Sequence, residues 1–198
     1  MSIPTLVYNL LRNILENGFK RQRQIIQDRL LTGERGSIRI LDVGCGTGTY
    51  ADLFDPDRYV GLEVESAYIN YARQTKKLNF IQADARYMPF KDDMFGIVCI
   101  IAIFHHLPVS WVMDVMKEIE RVTYAGGVIL IMDQAKIKLG FMENWLFALI
   151  RRFDKGKFIR TPEENMNIIL GQPGISVVDA WKFRSGLITY QSIILKKR

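Results

Sequence analysis

The chain has little of what stabilises secreted proteins or builds metal centres: its 198 residues include only two cysteines and two histidines. Cys45 and Cys99 are too few for a disulfide framework and lack the spacing of a zinc site, so we expect two reduced thiols and no metal ion. No stretch of about eighteen apolar residues could cross a bilayer. Arg12 interrupts the apolar N-terminus where a signal peptide would continue. These absences favour a cytoplasmic globular protein.

Charge is unevenly distributed along the chain, whose net charge is +6. Residues 37–135 hold nine Lys or Arg and thirteen Asp or Glu, whereas residues 136–160 hold seven and two, and residues 1–36 six and three. Basic segments around an acidic centre can attract an anionic small molecule, an anionic lipid surface or RNA. Solvated Lys and Arg on ordinary helix faces would give the same pattern, so the charge alone does not choose a partner.

Short β-branched runs alternate with helical stretches from residue 38 onward. This alternation is typical of a doubly wound α/β sheet with mostly parallel strands. The predicted strands are residues 38–43, 59–63, 78–82, 95–103, 128–132, 175–178 and 187–195. Only a few residues around Ser185 join the last two, so they are predicted to form an antiparallel hairpin at the sheet edge. The glycines Gly126 and Gly127 are predicted to be a turn into the fifth strand.

The strands fall within one predicted domain with two added helical segments. Residues 1–31 form a helical cap, residues 37–135 the core, residues 136–171 a helical insertion and residues 174–198 the hairpin. Within the cap, Leu6, Leu10, Ile14 and Leu15 are predicted to lie on one side of the helical region. The insertion contains two predicted helices, 141–153 and 162–170, and the first carries an apolar stripe around Trp145 followed by Arg151 and Arg152.

A glycine-rich turn follows the first predicted strand, with Gly44, Gly46 and Gly48 ahead of a predicted helical stretch. Such a turn lets a ligand approach the backbone closely. Glu63 ends the second strand about twenty residues further on, where a carboxylate can accept both hydroxyls of a ribose. The sequence therefore predicts a nucleoside ligand. Thr49, at a position where a dinucleotide fingerprint has Gly or Ala, weakens that alternative without excluding it.

Five ordered motifs then identify a resemblance: LDVGCGTG from Leu41, GLEVE around Glu63, QADARYMPF around Asp84, FHHL at the two histidines, and EIERVTYAGGVILI from Glu118. Together they resemble the class I S-adenosylmethionine-dependent methyltransferases, and within them the small-molecule branch that includes the ubiquinone and menaquinone C-methyltransferases. The resemblance covers residues 38–133. It implies a Rossmann-like sheet of seven strands in the order 3-2-1-4-5-7-6, with only the last strand antiparallel.

The same resemblance implies the cofactor site. The backbone at Gly44 and Gly46 is expected to approach the methionine half of S-adenosylmethionine, and Asp42 to lie near its ammonium group. Glu63 is expected to bind the ribose. The remaining contacts are expected from Asp84 to the adenine amino group, from the Ala85 backbone to the ring, and from Ile101 beside the cofactor. The chain departs from the family at Gly96, where Asp is usual, and at Tyr124-Ala125, where Lys-Pro is common.

His105 and His106 lie just beyond the most apolar strand, at the edge where ligands bind in open α/β sheets. A sulfonium methyl group is already activated, so the protein supplies positioning, and a base only if the acceptor carries a proton. Histidine suits that role near neutral pH. One of the two is therefore a candidate catalytic base, and the alternative is a structural pair that shapes the loop before Pro108.

The leading hypothesis is a small-molecule methyltransferase whose acceptor is hydrophobic or amphipathic, with carbon or oxygen as the methylated atom. Alternatives are a non-catalytic cofactor-binding subunit, an RNA methyltransferase and a nicotinamide-dependent oxidoreductase. No Asn-Pro-Pro-Tyr motif supports a nucleic-acid acceptor. Residues 1–31 and 136–160 are predicted to cover the cofactor crevice as a lid, and their basic residues would also suit peripheral contact with anionic lipid.

Overall fold

The computed structural model describes residue 10 and residues 12–31, 38–136 and 157–198. In this part of the chain the fold is built from seven strands and the helices α1 to α4, and residues 12–15 are also helical. The strands are β1 (Ile40–Val43), β2 (Tyr59–Glu63), β3 (Asn79–Gln82), β4 (Phe95–Ile101), β5 (Thr123–Gln134), β6 (Ile175–Ser185) and β7 (Ile188–Lys197). The helices are α1 (Lys20–Leu30), α2 (Ser66–Thr75), α3 (Val109–Val122) and α4 (Pro162–Leu170).

All seven strands belong to one sheet in the order β3-β2-β1-β4-β5-β7-β6. Neighbouring strands from β3 to β5 are parallel, and β7 runs antiparallel to both β5 and β6. The predicted order and the antiparallel hairpin are confirmed. Since the parallel strands end at the same edge, the segments that follow β1 to β5 meet along the carboxyl edge of the sheet, with the β6–β7 turn beside them.

Helices cover both faces of the sheet. On one face α1 buries Ile25, Ile26 and Leu30, and α2 adds Ile69 and Ala72. On the other face α3 buries five apolar side chains spaced for one helical stripe, namely Val112, Val115, Met116, Ile119 and Val122. Each buried aliphatic side chain contributes about 1.5–3 kcal/mol to folding. Every residue of β1 and β4 is buried, as expected for central strands of such a sheet.

Several strand ends differ from the prediction for local reasons. β4 stops at Ile101 instead of residue 103, because Ala102 has φ 58° and leaves the extended conformation. β5 starts at Thr123, and Gly126, with φ 82°, is an irregularity inside the strand instead of a turn before it. β6 continues to Ser185, well beyond residue 178, because its second half also pairs with β7.

The segment after the glycine-rich turn is not the helical stretch that the sequence predicts. It contains turns and one short 3-10 helix, Ala51–Leu53. Pro56 follows closely, and the residue before a proline disfavours the helical conformation. The short connection therefore has room for a single helical turn before β2.

The apolar residues predicted to share one side of the N-terminal cap differ in burial where the structure describes them. Leu10 and Ile14 are 62% and 68% exposed, while Leu15 packs partly against the core. The cause is a break at residues 17–19, which all have φ between 52° and 66° and redirect the chain before α1. Burial against the sheet thus comes from α1 instead. Leu6 lies outside the described residues.

The predicted helix 141–153, with Trp145, Arg151 and Arg152, also lies outside the described residues. The helix predicted over 162–170 is confirmed as α4. Among the residues that the structure describes, no helix combines the length and the apolar character needed to cross a membrane.

Candidate functional site

The first part of the site is the turn that follows β1. Gly44 and Gly46 have φ 66° and 55°, a conformation that residues with a Cβ rarely adopt. A Cβ on Gly44 would also lie 2.2 Å from the Ile103 side chain, whereas a Cβ on Gly46 would meet nothing within 4 Å. The backbone at Gly46 therefore borders open space, as a ligand-binding turn requires.

Glu63, at the end of β2, lies beside this turn. One of its carboxylate oxygens accepts a hydrogen bond from the backbone N–H of Gly46 at 3.0 Å. The other accepts from the N–H groups of Val64 and Glu65 at 2.8 and 2.9 Å. The structure thus brings together two predicted site residues, Gly46 and Glu63, and fixes the orientation of the carboxylate at the mouth of the turn.

Asp42 lies below the turn and is 2% exposed. Its Oδ2 accepts a hydrogen bond from the Tyr59 hydroxyl at 2.8 Å. Burial raises the pKa of Asp42 to about 7; the Tyr59 hydrogen bond opposes this rise in pKa and the nearby Glu63 adds to it. A cation bound here would stabilise the ionised form. Ile101, also a predicted contact, is 7% exposed at the end of β4, one residue beyond the pairing of Val43 with Ile100.

Asp84, beyond β3 on the same edge, has its carboxylate engaged by Arg86. It accepts from the backbone N–H of Arg86 at 2.9 Å and from its Nη2 at 2.6 Å, which lowers the pKa of Asp84. The guanidinium of Arg86 also lies 3.6 Å from the centre of the Trp111 ring. Ala85 packs partly against the core. The contact of Asp84 with an adenine therefore stays a prediction, and it would require Asp84 to share its oxygens with Arg86.

The two histidines have opposite environments. His105 is 2% exposed, whereas His106 is exposed, and their rings lie 4.0 Å apart between centroids. Nδ1 of His105 lies 2.5 Å from Oδ1 of Asp133 near the end of β5. The same carboxylate accepts from the backbone N–H groups of His105 at 2.9 Å and Gln134 at 2.8 Å. Since a carboxylate only accepts, Nδ1 carries a proton, and Nε2 is the ring nitrogen at which a second proton is gained or lost.

Arg160 holds the turn that contains His105. Its Nη1 donates to the carbonyl of Phe104 at 2.8 Å and its Nη2 to that of Leu107 at 2.5 Å. The backbone N–H of Phe158 donates to the carbonyl of His105 at 2.9 Å. Arg160 is 7% exposed; burial lowers its pKa and Asp133 opposes that shift. Phe158 and Arg160 therefore hold the turn that contains His105 against the sheet.

Sequence reasoning missed Asp133 and Arg160. A signal for Asp133 was present, because it is an acid at the carboxyl end of an otherwise apolar run, VILIM. Arg160 gave no such signal among the basic residues of its segment. In the part of the chain that the structure describes, no group of three or more His, Cys, Asp or Glu residues is arranged to hold a metal ion.

Comparison with known proteins bears on the predicted site residues from Asp42 to His106. Residues 41–131 match the family described as a methyltransferase domain. The fatty-acid O-methyltransferase of Mycolicibacterium smegmatis is 36% identical over 102 residues, which are 48% of this chain and 36% of that protein. The ubiquinone/menaquinone biosynthesis C-methyltransferase UbiE of Coxiella burnetii is 27% identical over 182 residues, 82% of this chain and 70% of that protein. The chain thus spans about a third of the first relative's length and more than two thirds of the second's.

A solved structure shares the fold. Geranyl diphosphate C-methyltransferase from Streptomyces coelicolor A3(2), in complex with Mg²⁺, geranyl diphosphate and S-adenosyl-L-homocysteine, has a TM-score of 0.71 to this chain. The similarity covers 90% of this chain and 77% of that one, at 12% sequence identity. At this identity the likeness concerns the fold alone.

Proposed function

We propose that the chain is an S-adenosylmethionine-dependent methyltransferase and that it transfers the methyl group to a small acceptor that has an apolar part and must lose a proton. The cofactor half of the proposal is supported by the juxtaposition of Gly46 and Glu63. The acceptor half is carried by one observation, the buried hydrogen bond between His105 and Asp133 at the carboxyl edge.

In the cofactor site, the proposed contacts are those that the sequence predicts. Asp42, Gly44 and Gly46 approach the methionine half, and Glu63 binds the ribose hydroxyls. Asp84 and the Ala85 backbone contact the adenine, and Ile101 packs beside the cofactor. Glu63 is the best supported of them, because its carboxylate is oriented by three backbone N–H groups and borders the open space above Gly46.

In the acceptor site, His105 is proposed as the base. Asp133 holds the ring in the tautomer whose Nε2 accepts a proton and stabilises the imidazolium that forms. As the acceptor atom forms its bond to the methyl carbon, the bond from that carbon to sulfur breaks and the electron pair leaves on the thioether. The proton of the acceptor passes to Nε2. Because His105 is almost fully buried, the acceptor can meet its Nε2 only after the side chains packed against the ring move aside.

Only some classes of acceptor need a base. A fatty acid is already ionised at neutral pH, since a carboxyl group has a pKa near 4, so its O-methylation needs no base. A phenol or an enol keeps its proton and does need one. The His105–Asp133 pair therefore favours a hydroxylated, quinol-like ring, methylated on oxygen or on the adjacent carbon. The apolar part of the acceptor is proposed from the names of the relatives, a fatty-acid and a ubiquinone/menaquinone methyltransferase. The basic residues 136–160, largely outside the described residues, remain a predicted lid and a predicted contact with anionic lipid.

The test has two stages. Thermal unfolding with S-adenosylhomocysteine and, separately, with NAD is expected to show stabilisation by the first compound alone, by mass action. Turnover is then measured with radiolabelled S-adenosylmethionine, an isoprenoid naphthoquinol and palmitic acid. Methylation of the quinol with little of the fatty acid supports the proposal. Stabilisation by NAD alone would contradict the cofactor proposal and favour a dinucleotide ligand. Equal methylation of both acceptors would contradict the proposal that the reaction needs a base.

Two alternatives predict different results in these assays. A non-catalytic subunit would bind S-adenosylhomocysteine and consume no S-adenosylmethionine with any acceptor tested. An RNA methyltransferase would label total RNA in preference to the quinol. Neither alternative is supported by the relatives, whose names specify small-molecule acceptors.

A further inference from the structure

A continuous line of hydrogen bonds leads along the carboxyl edge from the glycine-rich turn to Asp84. The backbone N–H of Gly46 donates to the Glu63 carboxylate at 3.0 Å. The backbone carbonyl of Glu63 accepts from the N–H of Ala83 at 3.0 Å, because β2 and β3 are neighbours with Glu63 opposite Gln82. Asp84 is the residue that follows Ala83. Its position next to the proposed ribose contact is therefore fixed by backbone pairing.

The Asp84 carboxylate is held by three N–H groups of Arg86. The backbone N–H donates to Oδ1 at 2.9 Å, Nε lies 3.1 Å from both oxygens, and Nη2 donates to Oδ2 at 2.6 Å. These contacts lower the pKa of Asp84, so the carboxylate is ionised at neutral pH. An ionised carboxylate has about four acceptor sites, so Arg86 leaves about one for a ligand. The Asp84 side chain is 36% exposed, and a ligand can reach it.

Arg86 is itself restrained by an aromatic ring. Its guanidinium carbon lies 3.6 Å from the centre of the Trp111 ring, in the first turn of α3. A cation–π contact of this kind contributes about 0.5–2 kcal/mol. The guanidinium can therefore turn away from Asp84 only by giving up both the ion pair and the contact with the ring.

The loop that carries this pair has anchors of its own further along α3. The Glu118 carboxylate accepts from the backbone N–H of Met88 at 2.6 Å. Arg121 donates to the carbonyl of Met88 at 3.0 Å and to that of Phe90 at 2.7 Å. These bonds hold the loop backbone against the helix without any contribution from the Arg86 side chain. The ion pair of Arg86 is therefore available for a role other than holding the loop.

We propose that Arg86, restrained by Trp111, orients the Asp84 carboxylate so that the site selects a 6-aminopurine over a 6-oxopurine in the cofactor. The amino group of adenine donates to the acceptor site that remains on Asp84. A 6-oxopurine places a carbonyl oxygen there, and two acceptors repel each other. Arg86 acts through Asp84 and is thus a positioning residue. This inference rests on the proposed function, because it takes S-adenosylmethionine as the ligand.

A second arrangement of the same three residue types lies far from the proposed site. Arg29 on α1 pairs with Asp179 at 3.3 Å and lies over the Trp181 ring, 4.9 Å from its centre. Asp179 and Trp181 belong to β6, at the opposite edge of the sheet from β3. Because its chemistry matches that of the Asp84 cluster, Arg29 provides a control for the general effect of losing such an arginine.

The test compares S-adenosylhomocysteine with S-inosylhomocysteine, in which an oxygen replaces the amino group of the base. Calorimetric dissociation constants are measured for the wild type and for Arg86→Met, a variant that keeps an unbranched side chain and loses the guanidinium. The wild type is expected to bind S-adenosylhomocysteine about tenfold or more tightly, the scale of a hydrogen bond to a charged group. Arg86→Met is expected to bind it about five- to tenfold more weakly, with S-inosylhomocysteine changed by no more than about twofold.

Further variants separate orientation of the carboxylate from packing of the loop. Trp111→Phe keeps a ring for the guanidinium and is expected to retain most of the preference, whereas Trp111→Ala is expected to lose part of it. Arg29→Met, the matched control, is expected to change neither affinity. Equal weakening of both compounds in Arg86→Met would assign the effect to the loop and overturn the inference, as would an unchanged preference.

The proposed function fails in a different way. If the wild type binds neither compound, the chain does not use this cofactor and the proposed function is itself wrong. If the wild type binds both compounds with equal affinity, the cofactor proposal stands and only the role of Arg86 is rejected. Melting curves of all variants verify that each is folded at the temperature of the binding assay.

Discussion

The two halves of the carboxyl edge hold their polar groups in different ways. The part proposed to bind the nucleoside, called the nucleoside half, lies at the ends of β1 to β3. Asp42 is buried there, but Glu63 and Asp84 are partly exposed and make several hydrogen bonds to residues one or two positions away. The part proposed to bind the methyl acceptor, called the acceptor half, lies at the ends of β4 and β5 and buries His105 and Asp133 against each other, 28 residues apart in sequence. A buried polar group depends on its partner far more than an exposed one, because water cannot replace the lost hydrogen bond. Equivalent substitutions should therefore have larger effects in the acceptor half.

The largest effect is expected at the buried pair. His105→Ala should lower kcat by about 10²- to 10⁴-fold, the usual range for loss of a general base. Asp133→Asn should lower it less and shift the pH–rate profile, since the ring loses its orienting acceptor. S-adenosylhomocysteine affinity, measured calorimetrically, should not change. His106→Ala is the matched comparison: a large loss there, with His105→Ala unaffected, would place the base on the exposed ring.

The next effect is expected at the ribose contact in the nucleoside half. Glu63→Ala should weaken S-adenosylhomocysteine binding by about 1–3 kcal/mol, the cost of losing hydrogen bonds to a charged acceptor. Glu65→Ala, which removes an exposed carboxylate two residues away, should leave the affinity nearly unchanged. Calorimetry on both variants tests the contact, and equal losses would mean that general charge, not a ribose contact, is being measured.

The buried acid of the nucleoside half should make cofactor affinity depend on pH. The pKa of Asp42 is raised to about 7, so its ionised fraction grows as pH rises through that value, and a cationic ammonium favours the ionised form. S-adenosylhomocysteine affinity should increase by about tenfold between pH 5.5 and 7.5, with proton release on binding. The sign for folding is the opposite: a raised acid pKa reduces stability as pH rises from 3.8 towards 7. Asp42→Asn should flatten the binding curve; an unchanged slope would assign the titration to another group.

The smallest effect is expected at the N-terminus of α4, the helix that follows Arg160 in the chain. Thr161 caps α4: its hydroxyl accepts from the N–H of Glu164 at 3.2 Å, and the Glu164 carboxylate accepts from the N–H of Thr161 at 2.7 Å. Thr161→Ala should lower the free energy of unfolding in urea by about 1 kcal/mol. Thr75→Ala, whose hydroxyl donates within an exposed helix end, is the control and should change it less. A loss of turnover in Thr161→Ala, at a temperature where the variant is fully folded, would show that the cap also positions Arg160.

Local sequence signals predict the nucleoside half because its residues lie in motifs at the ends of strands that follow one another in the chain. Gly46 contacts Glu63 through adjacent parallel strands, and both lie in motifs that a strand–turn pattern makes visible. The strand order followed from the resemblance, and the structure confirms it. Strand ends were less accurate, since a single residue such as Ala102, with a left-handed φ, ends β4 without any signal in composition.

Partners distant in sequence were not predicted. Asp133 meets His105 only because β4 and β5 are neighbours with a particular register, and Arg160 reaches the same turn across the undescribed segment. The exposure of Leu10 and Ile14 was missed for the same reason, because the left-handed break at residues 17–19 decides which side of the cap meets the sheet.

The backbone N–H of Leu187, in the turn between β6 and β7, donates a hydrogen bond to the carbonyl of Leu15 at 2.9 Å. The ribosome synthesises Leu15 long before Leu187. At roughly 5–20 residues per second, the partner of Leu15 is synthesised some 10–30 s later. A Cβ on Gly186 would lie 2.0 Å from the Leu15 carbonyl, so the hairpin accepts residues 12–19 in this position only with glycine at residue 186. During translation residues 12–19 therefore lack this docking contact until the hairpin has formed.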